Sequence, residues 1–485
     1  MRALRCALVC GLLLVGAPAW CADALTPCRV AGIKNEVRCG VVARPLDPAQ
    51  PQGVQIDVHY VVVPALARRK LPDPVFLLAG GPGQSAIALA PATLQLFARL
   101  NNRRDIVFVD QRGTGRSAPL ECAEARRGPL AEQTGPERQF EHLAQCRAKL
   151  QALPYGDLRW FTTPLAVQDL DAVRAQLGAE RINLVGGSYG TRVAMEMLRQ
   201  FPSRVRRSVI DGVAPPDMAL PASFSTDGQA ALHAMLAACE QDADCAKAHP
   251  GLRAHWAGLL KSLPRRVTVA HPLSGQVETF TLSREMVLGV MRGALYAPWI
   301  AAVLPQVIDD AARGRFESMV GVNSFFAQRR GTELAMGMHF SVICAEDVPR
   351  LAAAVDPPGA DFGTDLAAFY RRVCAAWPRG DVPEAFYRLL PSASPVLVLS
   401  GGLDPVTPPR QGERAAQALG PNALHLVVPH AGHGVMNLPC MRDVLYRFID
   451  ADDAAQALAI DTACVKNLPR PPAFEPLRWP AKAQP

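Results

Sequence analysis

One stretch, residues 182 to 191 (INLVGGSYGT), places the strongest constraint on how this chain can fold. An apolar run of strand length ends there in a Gly-x-Ser-x-Gly motif, and apolar residues at helical spacing follow it. The pattern predicts a strand, a sharp turn and a helix, with Ser188 at the turn. Gly186, Gly187 and Gly190 leave room for the bend, so the serine hydroxyl should stand out at the carboxyl end of the strand. For the motif alone, the alternative is a tight turn with an ordinary capping serine.

Other apolar runs of strand length lie on both sides of this motif. Runs that are apolar on both faces indicate a parallel sheet covered by helices on each side. We therefore predict an α/β fold with a mostly parallel central sheet and helices on both of its faces. The runs lie at residues 75–79, 106–109, 205–213, 396–400 and 425–428, and strand composition also marks residues 30–64.

Helical periodicity replaces the strand pattern after Pro215-Pro216, with one further strand pair expected near 267–269 and 280–282. We interpret this block as a mainly helical cap domain inserted into the sheet domain. The predicted organisation is a signal peptide at 1–24, the first part of the sheet domain at 25–216, the cap at 217–385 and the second part of the sheet domain at 386–485.

Charge and hydropathy exclude two classes of protein. The net charge of +7 arises from 51 basic and 44 acidic residues without a long block of one sign, and aromatic residues are only 6%. This composition argues against nucleic-acid binding, which needs a concentrated basic face with stacking aromatics. Arg2 and Arg5 precede an apolar run at 7–17 that is too short to span a bilayer and is typical of a cleaved export signal. We expect a secreted protein, in the periplasm or outside the cell, that does not associate with the membrane after cleavage.

The chain has thirteen cysteines, and cleavage after Ala24 removes Cys6, Cys10 and Cys21, which leaves an even number. Exported proteins meet oxidising conditions, so we expect these cysteines to form disulfides. No Cys-x-x-Cys or His-Glu-x-x-His pattern occurs, and we expect neither a metal site nor a cofactor. Although the sequence cannot fix connectivity, pairing of near neighbours predicts Cys28–Cys39, Cys122–Cys146, Cys239–Cys245, Cys344–Cys374 and Cys440–Cys464.

A serine hydroxyl needs a base to remove its proton and an acid to orient that base. Ser188, Asp404 and His433 each follow a strand-like run, and catalytic groups of parallel sheets gather beyond the carboxyl ends of the strands. His425 and His430 are alternatives for the base. We favour His433, because it lies in a loop between two glycines, whereas His425 begins a strand.

A tetrahedral intermediate on Ser188 would need two N–H donors for its oxyanion. We assign one to Tyr189, directly after the serine, and the other to Gly80 or Gly81 in the Gly-Gly-Pro-Gly loop. Phosphate binding is the alternative for this loop, but the Gly-Lys-Ser/Thr ending that it requires is absent.

Three ordered motifs carry a family resemblance. Gly-Gly-Pro-Gly at 80–83, Asp-Gln-Arg-Gly-x-Gly-Arg-Ser at 110–117 and Gly-Gly-Ser-Tyr-Gly at 186–190 resemble the prolyl aminopeptidase family of α/β-hydrolases. The cysteines and the Gly-Gly-x-Asp-Pro-Val-Thr-Pro motif near the C-terminus are more similar to its secreted tripeptidyl-aminopeptidase branch. One departure is Ala79, which stands where the family often has histidine.

The resemblance implies an α/β-hydrolase fold and hydrolysis of peptide bonds near the free N-terminus of peptide substrates, through an acyl-enzyme. It also implies acidic cap residues that bind the substrate amine, and Glu346 and Asp347 are the expected pair. A carboxylesterase of the same fold is the alternative enzyme, because the same three side chains attack esters. A non-catalytic binding protein is a third alternative, which the presence of all three candidate side chains disfavours.

Overall fold

The computed structural model describes residues 25–122, 130, 136–271, 274–327, 333–353 and 356–474, so the predicted signal peptide lies outside the described residues. Its centre is a nine-stranded sheet, and a separate hairpin is formed by β8 and β9. The strands are β1 (Leu25–Cys28), β2 (Val37–Pro45), β3 (Gln55–Val63), β4 (Val75–Leu78), β5 (Ile106–Val109), β6 (Ile182–Gly187), β7 (Val205–Asp211), β8 (Arg265–Ala270), β9 (Val277–Leu282), β10 (Val396–Gly401) and β11 (Ala423–Val428).

The strand order in the large sheet is β1-β2-β3-β5-β4-β6-β7-β10-β11. The pairs β1–β2, β2–β3 and β3–β5 are antiparallel. The remaining five pairs, from β5–β4 to β10–β11, are parallel. The register places Gly187 of β6 beside Asp211 of β7, and Asp211 beside Leu399 of β10. The loops that follow these strands therefore meet at one edge of the sheet.

Both faces of the sheet are covered, as the apolar runs predict. Neighbouring residues of one strand enter different hydrophobic clusters: Ile106 and Phe108 belong to one, and Val107 and Val109 to the other. A side chain on each face of a strand is thus removed from water, which accounts for runs without polar alternation. The predicted α/β architecture is confirmed.

Helices cover the sheet and fill the segment between β7 and β10. They are α1 (Ala86–Thr93), α2 (Pro136–Gln151), α3 (Thr163–Gln176), α4 (Tyr189–Gln200), α5 (Ser223–Gln241), α6 (Ala243–Ala248), α7 (Leu252–Lys261), α8 (Arg284–Leu295), α9 (Pro298–Ala301), α10 (Leu304–Ala312), α11 (Glu317–Ala327), α12 (Met336–Glu346), α13 (Asp365–Cys374), α14 (Pro409–Leu419), α15 (Met441–Asp450) and α16 (Ala454–Leu458).

The segment between β7 and β10 packs in two ways. Helices α5, α7, α8 and α10 share a hydrophobic cluster of their own with the β8–β9 hairpin. Helix α12 and the end of α13 instead contribute Phe340, Cys344 and Cys374 to the cluster of the main sheet. The proposed cap at 217–385 therefore includes helices that share a core with the sheet.

Five disulfides join the cysteines in the predicted pairs: Cys28–Cys39, Cys122–Cys146, Cys239–Cys245, Cys344–Cys374 and Cys440–Cys464. The Cys344–Cys374 bridge joins α12 to α13, and the Cys440–Cys464 bridge fixes the chain after the last strand. Among the described residues, no helix combines the length and the apolar character needed to cross a membrane.

Candidate active site

Ser188 lies at a strained turn between β6 and α4. Its φ is +56°, a conformation that residues other than glycine rarely adopt. A Cβ on Gly186 would lie 2.4 Å from the carbonyl oxygen of Gly190, and one on Gly190 would lie 2.2 Å from that of Leu78. At Gly186 and Gly190, the neighbouring backbone therefore leaves no room for a side chain. Gly187 is not restricted in this way, because a Cβ there would meet only the end of Met436 at 3.9 Å.

Asp404 and His433 are in direct contact. Nδ1 of His433 lies 2.8 Å from Oδ2 of Asp404, so the ring donates its Nδ1 proton to the carboxylate. Asp404 also accepts hydrogen bonds from the N–H groups of Val406 and Thr407 and from the Thr407 hydroxyl. The Thr407 hydroxyl lies 3.0 Å from Nδ1 of His433. This arrangement fixes the tautomer of His433 and leaves Nε2 without a proton.

The two groups shift each other's pKa in opposite directions. Burial alone would lower the pKa of His433, but the charge and hydrogen bond of Asp404 outweigh it and raise the pKa above its usual value of 6.5. Burial would raise the pKa of Asp404, yet the charge of His433 and the hydrogen bonds to the carboxylate lower it. At neutral pH, Asp404 is therefore ionised and stabilises a proton on His433.

The other two histidines lie elsewhere. His425 is inside β11, with Nε2 3.0 Å from the hydroxyl of Ser400. His430 has an exposed side chain in the loop after this strand. Of the three, His433 is the one in contact with Asp404.

Ser188 and His433 both adjoin the end of β7. The Ser188 N–H donates to the carbonyl of Asp211 at 2.8 Å, and a Cβ on Gly212 would lie 3.1 Å from Cε1 of His433. The ring of His433 makes its hydrogen bonds with Asp404 and Thr407, and in the described part of the chain the Ser188 hydroxyl is not among its partners. Catalytic hydrogen bonds often tighten only when substrate binds.

The Gly-rich loop lies against Ser188. A Cβ on Gly80 would be 3.3 Å from Cβ of Ser188, whereas one on Gly81 would face Leu334. The loop is held by His339 of α12, whose Nδ1 lies 3.1 Å from the carbonyl oxygen of Pro82. Burial lowers the pKa of His339 to about 4, so the ring is neutral, donates Nδ1–H to Pro82 and accepts at Nε2 from the hydroxyl of Tyr370.

Glu346 and Asp347 do not lie in an open site, which contradicts their expected role in binding an amine. Both side chains are fully buried, and Asp347 forms two hydrogen bonds with the guanidinium of Arg192 on α4, at 2.9 and 3.0 Å. Glu346 lies 3.4 Å from the same guanidinium and accepts from the N–H and hydroxyl of Thr163. Full burial and the ion pair with Arg192 leave neither carboxylate open to a substrate ammonium.

The same cluster reaches the residue after the nucleophile. The hydroxyls of Tyr189 and Thr163 are 2.6 Å apart, and the Thr163 hydroxyl donates to Glu346 at 2.9 Å. Because Thr163 donates to Glu346, the Tyr189 hydroxyl must donate to Thr163. Burial raises the pKa of Glu346 to about 7 although Arg192 opposes the shift. The hydrogen bonds from Tyr189 through Thr163 to Glu346 anchor the first turn of α4, which includes the Tyr189 N–H.

A groove of about 610 Å³ lies between α2, α8, α11 and α13. Its lining includes Glu285, Asp365, Arg292 and Phe369. Phe369 packs against Tyr370, the residue that holds His339. Helix α8 leads directly to Tyr296, whose ring lies 4.9 Å from that of His433. The groove is thus bordered by elements that reach both the Gly-rich loop and His433.

Sequence reasoning missed several residues of this site. Thr407 lies within the Asp-Pro-Val-Thr motif, and its spacing from Asp404 is a signal for a local hydrogen bond. Tyr296, whose carbonyl accepts from the N–H of His433 at 2.8 Å, carries no such signal. Within the described ranges, no three His, Cys, Asp or Glu side chains are grouped so that they could hold a metal ion.

Two family models match the chain. One, described as alpha/beta hydrolase fold, matches residues 73–242, and one described as TAP-like protein matches residues 360–464. Ser188 falls in the first matched region, and Asp404 and His433 fall in the second.

Similar proteins include peptidases. A tripeptidyl aminopeptidase of Streptomyces coelicolor is 31% identical over 197 residues, which cover 38% of this chain and only 36% of that protein. The serine protease Hip1 of Mycobacterium tuberculosis is 24% identical over 432 residues, which cover 81% of this chain and 82% of that protein. A proline iminopeptidase of Neisseria meningitidis is 29% identical over 140 residues, covering 29% of this chain and 32% of that protein.

Proposed function

This chain belongs to the α/β-hydrolase fold family, and on that premise we propose that it is a serine hydrolase that cleaves peptide bonds near the free N-terminus of peptides. The observation that carries the proposal is the contact between Nδ1 of His433 and Asp404, at the sheet edge where Ser188 occupies its strained turn. The named relatives support peptides as the substrate class, since they include a tripeptidyl aminopeptidase, a proline iminopeptidase and a serine protease.

In the proposed mechanism, Nε2 of His433 removes the proton from Ser188 as Oγ attacks the carbonyl carbon of the scissile bond. The oxyanion is stabilised by the N–H of Tyr189 and by one N–H of the Gly80-Gly81 pair. His433 then gives its proton to the leaving amine as the C–N bond breaks, which produces an acyl-enzyme. A water molecule, deprotonated by His433, hydrolyses the ester and restores Ser188.

The groove is our proposed site for the part of the peptide that carries the free amine. A buried ammonium needs a carboxylate partner, and Glu346 and Asp347 are occupied by Arg192. Glu285 and Asp365, whose side chains are exposed at the groove, replace them as candidates. Apolar side chains such as Phe369 share the lining and would contact the apolar parts of the peptide.

A comparison of blocked and unblocked substrates tests this function. Peptidyl nitroanilides with a free N-terminus should be hydrolysed several-fold faster than their acetylated forms, since an exposed ion pair contributes up to about 1 kcal/mol, which corresponds to about fivefold. The preference should shrink in a Glu285→Gln/Asp365→Asn variant and persist in Glu240→Gln, a surface residue that pairs with Arg253. Equal rates for free and acetylated peptides would remove the amine-recognition proposal, and turnover of short-chain nitrophenyl esters alone would favour the carboxylesterase.

The pH dependence of the reaction should follow His433. The base must be neutral to accept a proton, and Asp404 holds the pKa of His433 above 6.5, so kcat/KM should rise with pH with a midpoint above 6.5. A nitrophenyl ester is the substrate of choice, because it has no titrating group in this range. An acidic midpoint below 6.5 in the wild-type enzyme would contradict the assigned pair.

We also propose that the chain is exported and acts in an oxidising compartment. Five disulfides are stable there, and they are rare in proteins of the reducing cytosol. The signal peptide remains a sequence-based proposal.

A further inference from the structure

Asp211 is a buried acid at the reaction centre that the proposed mechanism does not use. It is the last residue of β7, beside the strand that carries the nucleophile, and only 2% of it is exposed. Its main-chain carbonyl accepts the N–H of Ser188 at 2.8 Å. The backbone of this residue therefore holds the nucleophile turn.

The side chain of Asp211 holds the opposite side of the site. Oδ2 accepts hydrogen bonds from the N–H groups of Val435 and Met436, at 2.7 and 2.9 Å. These amides belong to the loop that contains His433. The next residue, Gly212, lies directly beneath the imidazole, since a Cβ there would be 3.1 Å from the ring. Residues 211 and 212 therefore contact the loops of both proposed catalytic side chains.

The second carboxylate oxygen of Asp211 is the unusual feature. Oδ1 is buried and has no hydrogen-bond partner among the residues that the structure describes. Burial raises the pKa of Asp211 to about 6, although the two amides and the charge of His433 oppose the shift. Retaining a partly unsatisfied carboxylate is costly, and a neutral asparagine could accept the same two N–H groups. The two hydrogen bonds therefore do not explain why this position carries a negatively charged aspartate.

We propose that Asp211 is a positioning residue, which fixes the Ser188 turn relative to the His433 loop and adds a second negative charge that stabilises the protonated imidazole. This inference rests on the proposed function. Among the residues that the structure describes, the charged groups that face His433 are Asp404 on the loop after β10 and Asp211 on β7, and the ring of Tyr296 packs against it from the cap side. Asp211 is faced by His433 and Asp404.

The sign of the expected effect follows from this arrangement. An anion near His433 favours the imidazolium, so loss of the Asp211 charge should lower the pKa of His433. The acidic limb of kcat/KM should then move to lower pH, while the maximal rate falls because the imidazolium formed in the transition state is less stabilised. If Asp211 contributed only to folding, its replacement would lower the melting temperature without shifting the acidic limb of kcat/KM.

The test compares Asp211→Asn and Asp211→Ser with wild type, using a nitrophenyl ester across the pH range. We expect kcat to fall about tenfold in Asp211→Asn, with KM changed less than twofold and the acidic limb shifted to lower pH. Asp211→Ser, which also shortens the tether, should lose more. Asp73→Asn removes another buried carboxylate, at the opposite edge of the sheet beside Arg104, and should leave the limb in place.

The outcomes separate this inference from the proposed function. If wild type neither hydrolyses ester or peptide nor reacts at Ser188, the proposed function fails. If wild type is active and both Asp211 variants keep its kcat and its acidic limb, only the role of Asp211 is overturned. The role of Asp211 is also overturned if the variants lose thermal stability but keep the acidic limb of the wild-type kcat/KM profile. Should one variant fail to fold, the other supplies the pH profile, and failure of both would overturn a role limited to positioning.

Discussion

Replacement of Ser188 by alanine is expected to lower kcat by about 10⁴-fold or more for every substrate that the protein hydrolyses. The Ser188 hydroxyl is the one group that forms a covalent bond with substrate in the proposed mechanism, and alanine removes it with little change in volume. The turn at φ +56° is set by the backbone approach of Gly186 and Gly190, so the variant should keep its fold. Steady-state kinetics with peptide and ester substrates, together with a melting curve, measure both effects.

Matched variants control for each part of this result. Ser203→Ala alters an exposed serine in the turn before β7 and should retain wild-type kcat. His433→Ala should be nearly as inactive as Ser188→Ala, whereas His430→Ala, which changes an exposed histidine three residues earlier, should be active. Full activity of Ser188→Ala would refute the assigned nucleophile, and loss of activity in His430→Ala but not His433→Ala would reassign the base.

Replacement of Arg192 by methionine is expected to lower the free energy of unfolding by about 3–5 kcal/mol, the usual cost of leaving a buried charge unpaired. The guanidinium is fully buried and is the ion-pair partner of both Asp347 and Glu346. It also donates to the carbonyl of Met218 at 3.0 Å, at the start of the proposed cap. Urea unfolding of the disulfide-bonded protein, compared by midpoint, measures the loss.

Two further variants distinguish an unpaired charge from lost packing. Arg192→Met/Asp347→Leu removes the main ion pair as a unit and should be more stable than Arg192→Met alone. Arg253→Met breaks the exposed pair with Glu240 and should cost less than about 1 kcal/mol. If Arg192→Met were as stable as Arg253→Met, the buried cluster would not be the support that its contacts indicate.

The fold was largely predictable because its signals are local. A run such as 106–109 has no polar residue, and the structure shows why: alternate side chains enter cores on opposite faces of the sheet. The five disulfides also followed from proximity along the chain, with sequence separations of 6 to 30 residues. The packing of α12 against the sheet was not predictable, because helical spacing does not show which core a helix joins.

The site was predictable only where a motif and a strand end coincide. Ser188, Asp404 and His433 satisfy that condition, and the structure brings the last two into contact. Glu346 and Asp347 looked like free acids, since the cation that neutralises Asp347 lies 155 residues away in sequence. Asp211 gave no signal either, because a strand-final aspartate resembles an ordinary turn residue. Its proposed positioning role depends on loops that meet only in the folded protein.

The most direct measurement is the reaction of the whole protein with a fluorophosphonate, which phosphonylates activated serine hydroxyls, followed by peptide mapping. We expect one adduct per chain, on the peptide that contains Ser188, with labelling abolished in His433→Ala and retained in His430→Ala. A stoichiometric adduct on another serine, or labelling of Ser188 that is independent of His433, would contradict the account.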